Sequence, residues 1–581
     1  MALFNSRDPT RGGPDFRFEH PAAELLARTG AEVPAVLDAI DRAAAAGRWV
    51  VMAVAYDAAP AFDPAMVCHP GDFPLVAARV YERPVIDDPG APVPAGAGPA
   101  PYAVGAWEPL VDRAEYGRGF SRIRDHILGG DSYQVNYTFP LTTTVEGDLE
   151  AWYADLCDAQ RAGYCAYLAA GPFRVLSLSP ELFVERAGPV LTMRPMKGTA
   201  PRGRWTEEDD ERGAALTRDP KSRAENVMIV DLLRNDLGRI ARPGGVSVPA
   251  LFTAERYPTL WQLTSIVRGR CERPPTLAAT LGALFPCGSV TGAPKIETMR
   301  IIREVERHPR GLYTGAVGIV RPGGDFTLSV AIRTVVVDTA SMTARCGVGS
   351  GVTADSSVQG EYDECLLKAE FLRRPGSPFS LLESLRLENG VFRRRERHLA
   401  RMAGSARALA FCWRGEQVVS ALDAVREANA TGIWKVRLLV SREGECEAEA
   451  VPLGREAERP WHVAFASRPV DPDDWRLHHK TTRREVYERA RDGTRDADDV
   501  LLWNIRGEVT ESTIANLVVR LDGRLWTPPR ECGLLAGTFR AELLEGGMMQ
   551  ERVVTRDDVA RADELFLVNA VRGWIRARLV R

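Results

Sequence analysis

Two lysines and a few carboxylates are the side chains of this sequence best suited to chemistry. The first lysine, Lys197, lies in the stretch M-R-P-M-K-G-T-A-P-R-G at residues 193–203. A strand-like apolar alternation precedes it, and Pro195 ends that pattern because proline has no N–H to donate to a ladder. Two glycines that follow allow sharp changes of backbone direction. The stretch predicts an amine in a tight turn just past a strand end, for which a solvated loop lysine is the ordinary alternative.

Four carboxylates could act together with such an amine. Glu181 follows a predicted strand in the run S-P-E, ahead of Lys197. Glu225 opens a predicted helix, and Glu361 and Glu364 stand three residues apart on a later one, so both point to one face. Acidic side chains on a common face suit a hard divalent cation, most simply Mg2+ bound with the help of substrate oxygens. A Glu-x-x-Glu pair taken alone is more often a solvated helix face.

Two further features suit the recognition of a carboxylate. Arg333, in A-I-R-T, is predicted to lie in the middle of a strand, where its side chain could face a cavity and bind a carboxylate in a bidentate way. Glycines at 347, 349 and 351 would leave backbone N–H groups uncovered and could form an anion-binding nest. The alternatives are an exposed strand face and a plain loop.

The second lysine, Lys480, lies in the run H-H-K-T and begins a separate set of residues. A buried lysine amine could form a Schiff base with an aldehyde cofactor, although an exposed lysine is commoner. Farther along, E-V-T-E-S-T contains Glu511, and G-L-L-A-G-T-F-R places Thr538 at the start of a predicted helix. A helix N-terminus offers free N–H groups and partial positive charge, so this loop could hold an anion.

Composition limits the class of protein. With 581 residues the chain is long enough for about three or four structural units. Its hydrophobic content of 45%, charged content of 26% and net charge of −3 are ordinary for a soluble protein and suggest neither nucleic acid nor membrane as a partner. Ten cysteines without C-x-x-C spacing indicate neither zinc nor a disulfide framework. No signal-peptide pattern opens the sequence, so we expect a cytoplasmic protein that acts on small molecules.

The elements that must position these side chains fall into two halves of unrelated pattern. In the first half, helices are predicted at 22–28, 33–46, 116–129, 151–162, 206–217, 222–240 and 358–372, and strands at 49–56, 132–144, 165–169, 173–177, 190–193, 311–320, 326–337 and 342–346. The proline- and glycine-rich residues 89–101 predict an exposed connector. Residues 373–378, charged and without periodicity, predict the main domain boundary.

Seven motifs of the first half stand in the order in which they occur in the chorismate-utilising enzymes. They are S-P-E-L-F, P-M-K-G-T, K-S-R-A-E-N-V-M-I-V-D-L-L-R-N-D-L-G-R, G-S-V-T-G-A-P-K, G-L-Y-T-G-A-V-G, A-I-R-T and E-Y-D-E-C-L-L-K-A. Over about residues 116–372 the chain resembles that family. In P-x-K-G-T the lysine is what the aminodeoxychorismate synthases of the family carry, whereas anthranilate synthases have alanine. The resemblance therefore implies amination of chorismate at carbon 4 and not at carbon 2.

The same resemblance implies roles for individual residues. Lys197 would be the nucleophile that adds to ring carbon 2 and expels the carbon 4 hydroxyl, after which ammonia attacks carbon 4. Glu181 would be the acid/base group. The ligands of Mg2+ would be Glu225, Glu361 and Glu364. The substrate-binding residues would be Tyr313, Arg333, Gly349 and Gly351.

Some features depart from the family pattern. Ser222 stands where anthranilate synthases have an acid, so fewer acidic ligands are expected around the metal. Trp261 and Gln262 stand where many relatives have histidine, which puts a histidine-dependent step on the substrate in doubt. The N-terminal segment looks short, and we expect no allosteric tryptophan pocket. No glutaminase motif is visible, so ammonia is expected from a separate glutamine amidotransferase subunit or from solution.

The second half resembles the fold type IV pyridoxal-phosphate enzymes over nearly all of residues 381–581. The resemblance is carried by E-R-H-L-A-R, H-H-K-T, E-V-T-E-S-T-I-A-N and G-L-L-A-G-T-F-R. It implies Lys480 as the Schiff-base lysine and proton shuttle, Glu511 as the partner of the pyridine nitrogen, and Arg401 and Thr538 as phosphate ligands. Arg572, in N-A-V-R-G, is a candidate for the substrate carboxylate. Spacing does not separate the aminotransferases of this family from its aminodeoxychorismate lyases.

Together these resemblances imply a mixed α+β chain with a helix-covered β-sandwich for chorismate and an α/β fold type IV domain. The expected ranges are an N-terminal part at 1–100, the chorismate-binding catalytic domain at 101–374, a linker at 375–379 and the pyridoxal-phosphate domain at 380–581. Because the lyase reaction consumes what the first half would make, the fusion favours a synthase joined to a lyase in 4-aminobenzoate formation. The alternative is an anthranilate or isochorismate synthase joined to an amino-acid aminotransferase. A homodimer through the second domain is also expected from the resemblance.

Overall fold

A computed structural model describes residues 1–6, 15–87, 102–257, 260–372, 379–454, 459–492 and 497–580. The chain forms two compact units, one of Met1–Pro201 with Gly213–Ser377 and the other of Arg202–Arg212 with Pro378–Arg581. The connector predicted at 89–101 and nearly all of the linker predicted at 375–379 lie outside the described residues. The predicted domain ranges stay a prediction. None of the helices in the described ranges is long and apolar enough to cross a membrane.

The described residues of the first half of the chain form strands and helices. Its strands are β1 (Ala2–Asn5), β2 (Phe16–Phe18), β3 (Ala23–Ala27), β4 (Trp49–Val54), β5 (Val76–Tyr81), β6 (Ile86–Asp87), β7 (Tyr102–Val104), β8 (Glu108–Pro109), β9 (Gln134–Gly147), β10 (Tyr164–Ala170), β11 (Phe173–Ser179), β12 (Leu182–Ala187), β13 (Val190–Arg194), β14 (Met196–Pro201), β15 (Val246–Arg256), β16 (Leu260–Arg270), β17 (Gly292–Ala293), β18 (Ala316–Val320), β19 (Phe326–Val330), β20 (Thr334–Asp338) and β21 (Thr343–Val352). Its helices are α1 (Val33–Ala45), α2 (Arg113–Gly129), α3 (Leu149–Gln160), α4 (Thr206–Leu216), α5 (Pro220–Gly238), α6 (Leu277–Leu284), α7 (Lys295–Val305) and α8 (Val358–Lys368).

These strands form two antiparallel sheets. The first has the order β17-β9-β21-β20-β11-β10-β1-β2-β6, with β7 and β8 paired to β9, and the second has the order β14-β16-β13-β12-β19-β18-β4-β5-β3, with β15 paired to β16. One buried cluster joins residues of both sheets, such as Leu168 and Val175 of the first with Val51 and Val317 of the second, so the sheets pack face to face. The predicted sandwich is therefore present.

Helices cover the outer faces of this sandwich. Ile40 of α1, Ile229 of α5 and Leu281 of α6 pack in one cluster with Met52 of β4. Ile123 of α2, Leu156 of α3, Ile301 of α7 and Cys365 of α8 pack in a second cluster with Leu176 of β11. Strand β4 is buried on both faces, which explains why its sequence, W-V-V-M-A-V, is apolar throughout and does not alternate.

Two predicted elements were wrong. Residues 22–28 were expected to be helical, but Ala23–Ala27 form β3 because their backbone pairs with β5, Ala23 opposite Val80. Residues 326–337 were expected to form one strand, but they form β19 and β20 with a break between them. The break is needed because β19 belongs to the second sheet and β20 to the first, so the chain must cross from one layer to the other.

The second unit contains a small sheet and a large one in its described residues. Its strands are β22 (Leu381–Glu388), β23 (Val391–Phe392), β24 (Ile433–Val440), β25 (Cys446–Pro452), β26 (Trp461–Phe465), β27 (Asp499–Trp503), β28 (Glu508–Ser512), β29 (Asn516–Leu521), β30 (Arg524–Thr527), β31 (Gln550–Glu551), β32 (Val554–Thr555), β33 (Glu564–Asn569) and β34 (Gly573–Leu579). Its helices are α9 (Arg395–Ala408), α10 (Gly415–Ala428), α11 (Trp475–His478), α12 (Glu485–Arg491), α13 (Thr538–Glu545) and α14 (Arg556–Arg561).

The two sheets of the second unit differ in character. The small sheet, β23-β22-β24-β25, is antiparallel and packs against α9 and α10 through Leu385, Met402, Leu422 and Val436. The large sheet has the order β31-β30-β29-β33-β34-β26-β27-β28-β32 and is mixed, since β26 runs parallel to both β27 and β34. Lys480 lies in the connection between α11 and α12, and Thr538 is the first residue of α13.

Candidate active sites

A cavity of about 350 Å³ in the first unit collects the residues predicted to bind substrate and metal. Its lining comes from both sheets and from helices α5 and α8, which is why residues far apart in sequence meet there. The predicted residues that line it are Glu181, Lys197, Glu225, Tyr313, Arg333, Gly349, Gly351, Glu361 and Glu364. All the residues predicted for the first site therefore share one cavity.

Lys197 lies in a strand, so its predicted place in a tight turn was wrong. Pro195 interrupts β13 as expected, but the chain resumes pairing with the same neighbour, β16, and continues as β14. The register shifts between Met196 and Thr199, and Gly198 takes φ +93°, a backbone conformation that glycine adopts easily. An irregular edge strand therefore presents the amine to the cavity.

The three glycines predicted to form an anion nest lie in strand β21. Beyond Cys346 this strand pairs with β9 on one edge, while its pairing with β20 has ended. The missing side chains leave room for neighbours: a Cβ on Gly347 would lie 2.2 Å from the Tyr313 ring, and one on Gly351 would lie 2.7 Å from Nζ of Lys197. The glycines thus admit functional side chains to the cavity, and they lie in a strand and not in the plain loop that was the alternative. Their role as an anion nest stays a prediction.

Burial sets the charge state of the two groups predicted to do the chemistry. Glu181 is buried, its Oε1 atom accepts a 2.6 Å hydrogen bond from the Ser289 hydroxyl, and burial raises the pKa of its carboxyl to about 7. Burial also lowers the pKa of Lys197, an effect that the nearby carboxylates of Glu225 and Glu364 oppose. A carboxyl that holds its proton near neutrality beside an amine that loses its proton more readily is suited to acid and nucleophile roles.

Arg333 lies between β19 and β20 with φ +49°, so its predicted position inside a strand was wrong. Its side chain nevertheless lines the cavity. The Nη1 atom is buried and has no hydrogen-bond partner in the part of the chain that the structure describes, and burial lowers the pKa of the guanidinium to about 10. An unpartnered buried guanidinium nitrogen is costly unless a ligand satisfies it, so this atom indicates an anionic ligand in the cavity.

The three predicted metal ligands face one cavity but are held by different partners. Oε1 of Glu361 accepts a 2.6 Å hydrogen bond from Ser356, and Glu364 forms a 2.8 Å ion pair with Lys368. Burial raises the pKa of Glu225, and the charges of Glu361 and Glu364 raise it further. Within the described ranges, no three acidic, histidine or cysteine side chains form a ready-made metal cage. The donor set fits a cation such as Mg2+ that keeps water and substrate oxygens among its ligands.

Lys368 is the main residue of this cavity that the sequence interpretation missed. Besides its ion pair with Glu364, its Nζ atom donates a 3.0 Å hydrogen bond to the main-chain oxygen of Gly349. Its spacing of four residues from Glu364 on a helix was the signal that could have revealed it. Gln262, one of the two residues that stand where many relatives have histidine, faces the cavity and donates to the Gly198 carbonyl at 3.2 Å. Trp261, one residue earlier on the strand, packs in an apolar cluster instead.

In the second unit, Lys480 and Glu511 form the centre of the other predicted site. Burial lowers the pKa of Lys480 to about 8, and the positive charge of Arg401 lowers it further. Glu511 is buried in β28, where Tyr487 donates to Oε1 at 2.9 Å and Asn516 donates to Oε2 at 3.1 Å. Burial raises the pKa of Glu511 to about 7. Tyr487 and Asn516 were not predicted, and they fix the carboxylate.

The two residues predicted to hold a phosphate, Arg401 and Thr538, are both connected to the buried carboxylate of Glu383. Arg401 contacts it directly, and Thr538 contacts it through His398. Arg401 donates to both oxygens of Glu383, at 2.8 and 2.7 Å, and to the Ala536 carbonyl at 3.0 Å. His398 Nδ1 lies 2.7 Å from Oε2 of Glu383, and its Nε2 lies 3.2 Å from the hydroxyl of Thr538. Although Glu383 is fully buried, Arg401 and His398 hold the pKa of its carboxyl at about 2. A cation and the start of a helix are thus brought together, as an anion site requires.

The remaining predicted residue, Arg572, lies just before β34. Its N–H donates to Oδ1 of Asn569 at 2.8 Å, and its guanidinium lies 5.8 Å from the centre of the Trp461 ring. The charged groups that affect Lys480 most are Arg401, Glu383, Arg484 and Glu511. The role of Arg572 in binding a substrate carboxylate therefore stays a prediction.

Comparison with known proteins identifies the class of both units. The family described as chorismate binding enzyme matches residues 12–374, and the amino-transferase class IV family matches residues 380–580. The chain belongs to the chorismate binding enzymes. The second match implies pyridoxal phosphate as the cofactor of the second unit. The expected fold class, a chorismate-binding domain followed by a fold type IV domain, is confirmed.

Among curated proteins, the chain is similar to aminodeoxychorismate synthase component 1 of Klebsiella aerogenes, with 42% identity over 45% of this chain and 57% of that protein. It is also similar to anthranilate synthase component 1 of Streptomyces coelicolor, with 37% identity over 47% of this chain and 54% of that protein. The chain spans less than two thirds of the length of these relatives.

Among solved structures, the chain is similar to anthranilate synthase component I from Streptococcus pneumoniae TIGR4. The two share 25% sequence identity and a TM-score of 0.54, over 62% of this chain and 92% of that one. The likeness supports the fold of the first unit.

Proposed function

We propose that this chain is a bifunctional enzyme of 4-aminobenzoate formation, a route that feeds folate. The first unit would convert chorismate and ammonia into 4-amino-4-deoxychorismate, and the second would remove pyruvate from that product to leave 4-aminobenzoate. The observation that carries the proposal is the presence of the Lys197 amine in the same cavity as Glu181 and Arg333, whose Nη1 atom has no hydrogen-bond partner among the described residues. The anthranilate synthases that the family also contains carry alanine at the lysine position.

In the first unit, Lys197 would act as the nucleophile. Its amine would form a bond to ring carbon 2 of chorismate, both ring double bonds would shift by one position, and the carbon 4 hydroxyl would leave as water with a proton from Glu181. Ammonia would then attack carbon 4, both double bonds would return, and Lys197 would be released. The overall change is chorismate and ammonia to 4-amino-4-deoxychorismate and water. The raised pKa of Glu181, about 7, supports its role as proton donor near neutral pH.

Recognition of the substrate would use opposite charges at two places in the cavity. Mg2+ held by Glu225, Glu361 and Glu364 would neutralise the ring carboxylate and relieve the mutual repulsion of these acids. The free Nη1 atom of Arg333 would bind another carboxylate of the substrate, with Tyr313 beside it. The amides around Gly349 and Gly351 would contribute further donors.

In the second unit, Lys480 would hold pyridoxal phosphate, whose ring supplies an electron sink for bond cleavage at the substrate. Glu511, fixed by Tyr487, would face the pyridine nitrogen. Arg401 and the N-terminus of α13 at Thr538 would bind the phosphate. Lys480, whose pKa is lowered to about 8, would take a proton from the substrate and return it as the ring becomes aromatic and pyruvate leaves.

Two partners belong to this proposal. Ammonia would come from a separate glutamine amidotransferase subunit, in keeping with the component 1 names of the relatives. The second unit would pair with its copy in a homodimer, and the enzyme would work in the cytoplasm. Nucleic acid and membranes are not expected as partners.

The decisive experiment supplies purified protein with chorismate, ammonium, Mg2+ and pyridoxal phosphate, and resolves the products by mass. 4-Aminobenzoate and pyruvate in equal amounts are expected. Anthranilate or isochorismate as the sole product would refute the proposal and favour the alternative synthase with an aminotransferase. The matched variant is Lys197→Ala, which should lose amination at carbon 4 while it still binds chorismate. Undiminished 4-aminobenzoate formation by this variant would exclude the covalent mechanism.

A further inference from the structure

Eleven residues, Arg202–Arg212, lie between segments of the first unit in sequence but pack as part of the second unit. Here they are called the 202–212 segment. Hydrogen bonds within the segment stabilise its conformation. The buried Asp209 carboxylate accepts hydrogen bonds from Arg202 at 2.7 and 2.9 Å and from the N–H of Gly203 at 2.9 Å. A Cβ on Gly203 would lie 2.1 Å from the Asp209 nitrogen, so the fold of the segment requires glycine there. The segment is a built element and not an incidental crossing.

The ring of Trp205 contacts residues of the second unit that lie outside this segment. The guanidinium of Arg530 lies 4.1 Å from the centre of its ring, and the centre of the His478 ring lies 5.4 Å away. Two bonds anchor the neighbouring residues: Thr206 donates to the Gly404 carbonyl at 3.2 Å, and Arg204 lies 3.4 Å from Asp473.

The first loop that Trp205 touches is the one that carries Lys480. His478 and His479 come directly before this lysine. His478 is hydrogen-bonded to the Pro472 carbonyl at 2.8 Å, and His479 is hydrogen-bonded to the hydroxyl of Ser405 at 3.0 Å. The 202–212 segment therefore contacts, through Trp205 and His478, the histidine pair that comes directly before the lysine.

The second loop that Trp205 touches, through Arg530, leads to Glu511. Residues 530–532 form a short 3-10 helix, and the N–H of Leu535 donates to Oε1 of Glu511 at 3.1 Å. The two loops also meet each other, since a Cβ on Gly533 would lie 2.7 Å from Cα of Pro472. One indole ring thus touches both loops that fix the groups expected to hold the cofactor.

We propose that Trp205 is a positioning residue of the second site: it holds the loops of Lys480 and Glu511 in the arrangement that cofactor binding needs. The inference rests on the proposed function of the second unit, that Lys480 binds pyridoxal phosphate. It assigns a role in the second site to a segment that lies within the residues matched by the chorismate binding family. Loss of the indole would leave a gap between the loops and let both shift, and small misplacements of catalytic groups have large effects.

The test compares full-length wild type with Trp205→Ala, Trp205→Phe and the control Glu211→Gln, which changes an exposed residue of the same segment. In cofactor-free protein, the pH dependence of Lys480 acylation is followed by peptide mass, and the affinity for pyridoxal phosphate is titrated by absorbance. In Trp205→Ala the pH profile of Lys480 acylation should shift towards that of an ordinary lysine, and the cofactor should bind about tenfold to a hundredfold more weakly. Trp205→Phe should restore most of both properties, and Glu211→Gln should match wild type.

The outcomes separate this inference from the function on which it rests. A circular dichroism spectrum and a thermal unfolding profile of Trp205→Ala that match the wild type would show that both units of the variant are folded. If that variant instead fails to fold, Arg530→Gln, which removes one neighbour of the indole, should show the same effects in weaker form. Wild-type acylation and cofactor affinity in Trp205→Ala or, failing that, in Arg530→Gln would overturn the inference alone. A wild type that takes up no pyridoxal phosphate at Lys480 would overturn the proposed function, and this inference with it.

Discussion

A side chain at position 351 and the amine of Lys197 compete for the same space. A Cβ on Gly351 would lie 2.7 Å from Nζ of Lys197 and 2.1 Å from Nε2 of Gln134. Both distances are shorter than van der Waals contact allows, so the glycine of β21 and the lysine of β14 depend on each other. The two strands belong to different sheets of the sandwich.

The first prediction concerns this pair. Gly351→Ala should displace the amine and lower the rate of chorismate amination by about tenfold to a hundredfold, because the nucleophile would be moved from its attacking position. The matched control is Gly282→Ala in α6, where an added Cβ meets nothing within 4 Å. Amination is measured by mass at saturating ammonia, and folding by circular dichroism. Equal rates for the two variants would show that the amine has room to move.

The second prediction concerns pH. Because Glu181 must hold a proton to assist the departing hydroxyl, amination should fall as pH rises through about 7, the pKa to which burial raises this carboxyl. On the acid side the rate should fall where Lys197 becomes protonated, and its lowered pKa moves that limb below the range of an ordinary lysine. Rates are measured at constant free ammonia. Glu181→Gln should lose about a hundredfold or more in rate and lack the limb near neutrality; the same limb in this variant would assign it to another group.

The third prediction concerns the metal. Glu361→Gln removes a charged oxygen donor but keeps the size of the side chain, so the Mg2+ concentration needed for half-maximal amination should rise about tenfold. Asp363→Asn is the control on the same helix, since Asp363 is exposed and pairs with Arg113 at 2.8 Å. A Mg2+ titration of both variants makes the comparison. An unchanged requirement in Glu361→Gln would remove this residue from the proposed metal ligands.

The fourth prediction concerns the stability of the second unit. The folded-state pKa of Glu383, about 2, lies below its ordinary value of 4.5, so its contribution is present above that ordinary value and is lost as pH falls from about 4.5 towards 2. The shift corresponds to roughly 3 kcal/mol. Glu383→Gln should lower the free energy of urea unfolding by about 3–5 kcal/mol at pH 7, because Arg401 and His398 lose their buried partner.

The difference between wild type and Glu383→Gln should shrink as the pH is lowered through this window. Glu388→Gln, on the same strand, is the control: its carboxylate pairs with Arg386 and Arg393 at the surface, and little change is expected. A pH-independent difference for Glu383→Gln would mean that lost packing, and not the charge, explains the effect.

The residues of the first site could be predicted from sequence, whereas their local conformation could not. Short motifs predict that Lys197, Glu181 and Arg333 are site residues, and the three side chains line one cavity. The conformation of Lys197 depends on β16, whose residues lie more than sixty positions later, and no local pattern around Pro195 reveals that both β13 and β14 pair with it. The proline and glycines around Lys197 favour a turn, but pairing with the distant strand β16 determines the conformation instead.

Arg333 and the glycines of β21 illustrate the same limit. Alternating residues on both sides of Arg333 predict one strand, but the crossing between two sheets lies at the arginine and bends the backbone there. Glycines suggest a loop, yet in β21 they serve the close approach of Tyr313 and Lys197, which only the packed structure reveals. In contrast, Lys368 was predictable from its spacing to Glu364 and was overlooked.

The path of the main chain through the 202–212 segment bears on how this polypeptide could be divided. A gene cut at the obvious boundary, just before Phe379, would encode a shorter product without the eleven residues that complete its fold. The shorter product would need another segment in place of Arg202–Arg212. A single break in the coding sequence therefore cannot separate the two units.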